Sequence, residues 1–190
     1  GVDMMTLDAS KIYGPKGMGL LAVRRHVALD PIIYGGGQEK GLRAGTENVP
    51  AIVGMAKSLT IAQALREKET KRLIALQDYF ISKVIKLSPH VSSNGDLKHR
   101  LPNNVNICVA GMDAEFAVIK LDGAGIACSS ASSCMNLSEE SYSYVIDALP
   151  NRGKACRGSS LRFTFGRATT KREIDLTLRA IATIIITQQQ

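Results

Sequence analysis

The chain has 190 residues, 45% hydrophobic and 22% charged, with a formal net charge of +7. That length and apolar content suffice for one good core, or a core plus part of another, and no apolar run is long enough to span a bilayer. The basic residues are scattered and aromatics make up only 5%, which argues against nucleic-acid binding by a basic stripe with stacking rings.

Residue 1 is Gly, not an initiator Met, so the true N-terminus and any targeting peptide are expected to precede this sequence. After a short apolar run comes "DASKIYGPKG" at 8–17, in which Lys11 and Lys16 frame a Gly-Pro turn. Residues 18–24, "MGLLAVR", are apolar and bounded by glycine, which predicts a buried strand. The segment "YGGGQEKGLRAGTEN" at 34–48 carries five glycines and reads as an extended, close-packed loop. From Thr46, a candidate N-cap, to Lys86 runs one long helical pattern, with Ile52, Met55, Leu59 and Ala62 recurring at three- and four-residue spacing. Within it, "REKETKRL" at 66–73 mixes charges and predicts a solvated face.

Strands and helices then alternate, which predicts an α/β or α+β lobe. "NVNICVA" reads as a strand, 113–122 as a helix and "GIACS" as a strand; a helix over 139–149, a strand at 160–166 and a helix from Lys171 follow. No internal repeat is found, and the only low-complexity stretch is the terminal glutamine run. In "LRFTF", period-two alternation sets Arg162 and Thr164 opposite Leu161, Phe163 and Phe165. A planar guanidinium there can clamp a carboxylate. Spacing alone favours a solvated edge arginine and leaves the anion clamp open.

The four cysteines, Cys108, Cys128, Cys134 and Cys156, form no CxxC pair and keep no ligand spacing with the three histidines, so no structural zinc site is predicted. The lack of a regular cysteine framework favours a reduced, intracellular compartment. Cys108, in an alternating apolar segment, reads as a buried core thiol. Cys156, in a basic loop, carries no signal.

Five segments in order, "SKIYGPKGMGLLAVRR", "GGGQEKGLRAGTENVPAIVGMAKS", "LPNNVNI", "IACSSASSC" and "SSLRFTFGRATTKREID", resemble the cysteine desulfurases of the class V aminotransferase group. The resemblance covers nearly the whole chain and about the C-terminal half of a family member. It implies a fold-type-I, pyridoxal-phosphate-dependent α/β architecture: the end of the large cofactor-binding domain over 1–56, a bridging helix over 57–86, and a small C-terminal α+β domain over 87–190 with a catalytic-cysteine loop. By resemblance Lys11 forms the Schiff base with pyridoxal 5'-phosphate, Lys16 is structural, and Thr46 reaches the cofactor phosphate of the neighbouring subunit in a homodimer. Cys134 is the nucleophile that takes sulfur from L-cysteine as a persulfide, releasing alanine, with Cys128 at the strand end. Arg162 grips the substrate carboxylate, which reverses the reading from spacing.

Asp8 and Ser10 stand where the family has Ser-x-His, with the serine on the phosphate, so both are candidate cofactor-binding residues. Ser132-Ser133-Cys134 replaces a Gly-Ser-Ala-Cys type of loop. The ring-stacking histidine, the aspartate at the pyridine nitrogen and another phosphate-binding residue belong to the other half of the family's chain, so this chain alone is expected to be inactive. The resemblance further implies an iron–sulfur scaffold or other sulfur-acceptor protein as partner, neither nucleic acid nor membrane, and a cytoplasmic or mitochondrial-type matrix location. Two alternatives stay open: a truncated or degenerate homologue acting as a sulfur-relay or interaction subunit, and another class V lyase or aminotransferase.

Overall fold

The structure is a computed structural model describing residues 1–130, 143–149, 156 and 158–188. It divides into two compact units, Gly1–Glu67 and Lys68–Gln190.

In the first unit, strands β1 (Met4–Asp8) and β2 (Gly19–Val23) pair antiparallel, from Met4 opposite Val23 to Asp8 opposite Gly19. β1 is additional to the sequence expectation. The strand expected over 18–24 forms but is not buried, since Leu20 and Leu21 stay 41% and 51% exposed. The hairpin ladder, not a covering layer, therefore sets its conformation. A 3₁₀ turn, Ala9–Ile12, follows β1, and Tyr13 closes it in the left-handed region at φ 62°. A Cβ on Gly14 would fall 2.8 Å from the Ser58 hydroxyl and 3.0 Å from the Ala9 carbonyl oxygen, so only glycine lets the long helix approach this turn.

That helix, α1 (Val49–Val84), begins later than expected. Its first turn is capped by Asn48, whose Oδ1 accepts from the Ala51 N–H at 3.3 Å, and not by Thr46. A start at Thr46 would require Pro50 to donate to the Thr46 carbonyl, and proline has no N–H to give.

The second unit is an antiparallel three-stranded sheet of order β3-β4-β5: Val91–Ser93, Asn104–Val109 and Ser160–Thr164. β3 is also new relative to the sequence reading. One sheet face carries Val105, Ile107, Leu161 and Phe163 into a core completed by Phe80 and Val84 of α1, Leu121 of α2 (Ala114–Gly123), and Ile174 and Ile181 of α4 (Lys171–Gln188). The short helix α3 (Tyr144–Asp147) lies between them in sequence. It is the described remainder of the helix expected over 139–149. "GIACS" forms only an isolated bridge, Ser129 with Arg162, in place of the expected strand.

Helix ends follow local chemistry. Asp113 accepts from the N–H groups of Glu115 and Phe116 at the start of α2. Thr170 and Glu173 form a reciprocal capping box at the start of α4, with Thr170 N–H donating to Glu173 at 2.7 Å and Glu173 N–H donating to the Thr170 hydroxyl at 3.3 Å. These amide and hydroxyl donors lower the Glu173 pKa. The stretch expected to be a solvated face departs from expectation at Arg72. Its guanidinium pairs with Glu69 and donates to the carbonyls of Gly166 and Thr169 at 2.9 and 2.7 Å, holding the turn after β5. Among the described residues, no helix is long and apolar enough to cross a membrane.

Candidate functional site

In the first unit, the candidate lysine sits in the last turn of the 3₁₀ segment that leaves β1, with its side chain exposed. Asp8, one position before that segment, is its N-cap. The carboxylate accepts from the Ser10 N–H at 2.7 Å. Hydrogen bonds from the Ser10 side chain and backbone hold the Asp8 pKa below the usual carboxylate value, with a smaller contribution from the Lys11 charge. Asp8 and Ser10 thus bond each other and shape the turn that presents Lys11. Thr46 is exposed in the same unit, in the loop that precedes Asn48.

In the second unit, the face of the sheet turned from the core is polar. Asn104 and Asn106 alternate with buried Val105 and Ile107 on β4, and register places Asn106 opposite Arg162 on β5. Period two therefore sets Arg162 as expected, half-buried and on the face opposite Leu161 and Phe163. Ser129 pairs with the backbone of Arg162 through two hydrogen bonds, 3.1 and 2.7 Å. The loop that carries the candidate nucleophile thus starts beside Arg162. Cys134 itself lies outside the described residues.

A cavity of about 270 Å³ opens on this face, lined by Asn94, Arg100, Asn106, Ser130, Arg162 and, on its apolar side, Ile146. Arg100 and Asn94 were missed by the sequence reading. Arg100 stands directly before the quoted "LPNNVNI", and a single arginine at a turn gives no signal of where its head will go. Asn94 is 1% exposed, and its Nδ2 donates to Asn106 Oδ1 at 2.7 Å and to the Ser160 hydroxyl at 3.3 Å.

Two cysteine expectations change. Cys108 is buried, but it is joined to Cys156 by a disulfide with Cα atoms 5.4 Å apart, so neither is a free thiol. The signal was available for Cys108, which shares strand parity with Asn104 and Asn106 and so points to the polar face, away from the core. The pairing also removes the cysteine-based argument for a reduced compartment. Cys128, half-buried against the core, is the free cysteine among the described residues. Burial, with a lesser push from Asp122, raises its pKa to about 11, which makes it a poor nucleophile.

A lysine on a tight turn after a strand, and an arginine beside a small-residue loop on an antiparallel sheet, fit the fold-type-I pyridoxal-phosphate proteins. The class V aminotransferase family model matches residues 1–177, and the chain belongs to that family. Within it, the chain is similar to cysteine desulfurases. It is 42% identical over 185 residues to the cysteine desulfurase IscS of Dictyoglomus turgidum, covering 97% of this chain and 46% of that protein. With the mitochondrial cysteine desulfurase of Arthroderma benhamiae it shares 40% over 182 residues, 95% of this chain and 35% of the relative. Among solved structures, a NifS-like protein superposes with a TM-score of 0.82 at 28% identity, over 98% of this chain and 47% of the other. The chain spans about half the length of the curated relatives it matches.

The family is pyridoxal-phosphate-dependent, and the donor set of the first unit fits that group. Lys11 has an exposed primary amine, a group suited to an aldehyde, and Thr46 an exposed hydroxyl, a group suited to the phosphate of a neighbouring subunit's cofactor. Asp8, the one side chain ill-suited to a phosphate, spends its carboxylate on its own turn.

Proposed function

We propose that this chain is the Lys11- and Cys134-bearing part of a cysteine desulfurase, converting L-cysteine to L-alanine. The observation that carries the reading is the backbone pairing of Ser129 with Arg162. It tethers the cysteine loop at the arginine suited to the substrate carboxylate. Cys134 is five residues on, a reach of at most roughly 17 Å.

Lys11 would hold pyridoxal phosphate covalently, and Thr46 would contact the phosphate of a second copy in a homodimer. When bound, the cofactor supplies an electron sink at the substrate α-carbon. Arg162 fixes the substrate through its carboxylate. The Cys134 thiolate then attacks the substrate sulfur. An S–S bond forms and the C–S bond breaks; the carbon that loses sulfur gains a proton, giving alanine and a Cys134 persulfide. No outside oxidant is required. Cys128, held as a thiol at neutral pH, stays out of the exchange. The persulfide sulfur would pass to an iron–sulfur scaffold or a thiolation acceptor, in the cytoplasm or a mitochondrial-type matrix.

In a protein completed to the length of its relatives, mass spectrometry after incubation with L-cysteine should find the added sulfur on Cys134, and Cys134→Ser should abolish sulfide release. Sulfur found chiefly on Cys128 would overturn the assignment. Arg162→Ala should raise KM by the equivalent of roughly 2–5 kcal/mol, the cost of unpairing a desolvated charge, while leaving cofactor absorbance intact.

One observation favours the second reading, a degenerate subunit relaying sulfur. Asp8 and Ser10 satisfy each other where the family has phosphate-binding groups. Asp8→Ser with Ser10→His should tighten cofactor binding at least tenfold if the native pair weakens it. Unchanged affinity would remove this support for degeneracy.

A further inference from the structure

Beneath the cavity a relay of hydrogen bonds fixes which way one amide faces. The buried Ser160 hydroxyl donates its single proton to the Cys156 carbonyl at 3.1 Å. The group that approaches it from Asn94 at 3.3 Å must therefore be a donor, Nδ2. That orientation aims Asn94 Nδ2 at Asn106 as well, 2.7 Å away, where only Oδ1 can accept. Asn94 is 1% exposed and its Oδ1 is buried without a partner, so the relay holds this orientation against a cost. With its Oδ1 committed, Asn106 turns Nδ2 away from Asn94.

Asn106 is half-buried and lines the cavity. Its Nδ2 meets no acceptor among the described residues, and it is not one of their fully enclosed unpartnered atoms, so it keeps surface that a ligand can reach. Register sets Asn106 directly opposite Arg162, which lines the same cavity; cross-strand neighbours on one face stand about 4.5–5.5 Å apart at Cβ. Arg162 has an interaction of its own, whereas the amide is an open donor. No acid lines the cavity among the described residues. A neutral donor beside an arginine suits an acceptor that carries negative charge, such as a carboxylate.

We infer that Asn106 is a specificity-determining residue of this site, donating through Nδ2 to the α-carboxylate of the amino-acid substrate. The inference rests on the desulfurase reading for the substrate and adds a contact which that reading does not name. An amide whose oxygen is already bonded offers only protons to the ligand. It accepts a carboxylate and gains nothing from a group that can only donate.

The test uses the protein completed to the length of its relatives and two unreactive probes, L-alanine and L-alaninamide, which replaces the carboxylate by a neutral amide. Titration calorimetry gives the ratio of their affinities in each variant. Asn106→Ala should lower the preference for L-alanine at least about tenfold, the loss of one hydrogen bond to a charged group. Asn106→Asp should lower it further, because a like charge then faces the carboxylate while Oδ1 still accepts from Asn94. Should Asn106→Ala fail to fold, Asn106→Asp decides, since it keeps the shape of the side chain and its bond to Asn94. An unchanged ratio overturns the inference, whether both affinities hold or both fall together, since equal losses mark a purely structural residue. Arg162→Ala separates the two readings. If it lowers the preference for L-alanine while the Asn106 variants do not, the inference falls and the desulfurase reading stands. If none of the three variants lowers it, the carboxylate does not reach this face and the role of Arg162 falls as well.

Discussion

Raising the pH while alkylating Cys128 probes the assignment of the nucleophile directly. The thiol lies half-buried against the core with Asp122 nearby, and the two together lift its pKa from 9.0 to about 11, burial first. At pH 8 an ordinary thiol of pKa 9.0 is about one-tenth thiolate, whereas one of pKa about 11 is ~0.1% thiolate, so alkylation should be about a hundredfold slower. Iodoacetamide labelling read peptide by peptide in a mass spectrometer gives the rate at Cys128 separately from Cys134. The rate should climb nearly tenfold per pH unit through pH ~10 without a plateau. Asp122→Asn should bring the rise to lower pH by removing the lesser cause. The folded chain keeps a proton that the unfolded chain loses, so this group also lowers stability as pH rises from 9.0 towards about 11. A plateau near pH 9, or labelling at neutral pH as fast as a free peptide, would refute the reasoning and reopen Cys128 as a sulfur carrier.

Phe80 is fully buried with the Phe163 and Phe165 rings 5.2 and 5.8 Å from its own; Phe80→Ala should cost about 3–5 kcal/mol in urea denaturation, and a loss under ~1 kcal/mol would mean that the site collapses around the gap. The Cys108–Cys156 disulfide closes a sequence separation of 48 residues, so reductant should lower stability by roughly 4 kcal/mol on the chain-entropy account; melting that is insensitive to reductant would contradict it. Asp8 has a lowered pKa through its bonds with Ser10, so its cap is intact above the ordinary carboxylate range and is lost as pH falls through that lowered value. Ser10 amide exchange, corrected for intrinsic rates, should accelerate over that acidic window and become pH-insensitive there in Asp8→Asn.

Much of the second unit was legible because its side chains repeat with the period of the backbone. Leu161 and Phe163 on one face of β5, Arg162 on the other, and a helix from Lys171 all follow from spacing. The ordered motifs around Lys11, Thr46, Cys134 and Arg162 were enough to point to the family, since five segments in one order constrain far more than any one. Strands β1 and β3 were not legible, because three to five residues held by a partner's ladder need no hydrophobic signature of their own. The start of α1 was decided by the competition between Thr46 and Asn48 with Pro50 in the first turn, a matter of which carbonyl can find a donor. The pairing of Cys108 with Cys156, and the backbone pairing of Ser129 with Arg162, join residues 48 and 33 positions apart in the chain. Such contacts depend on where turns and sheet register bring distant segments, so only the tertiary structure could decide them.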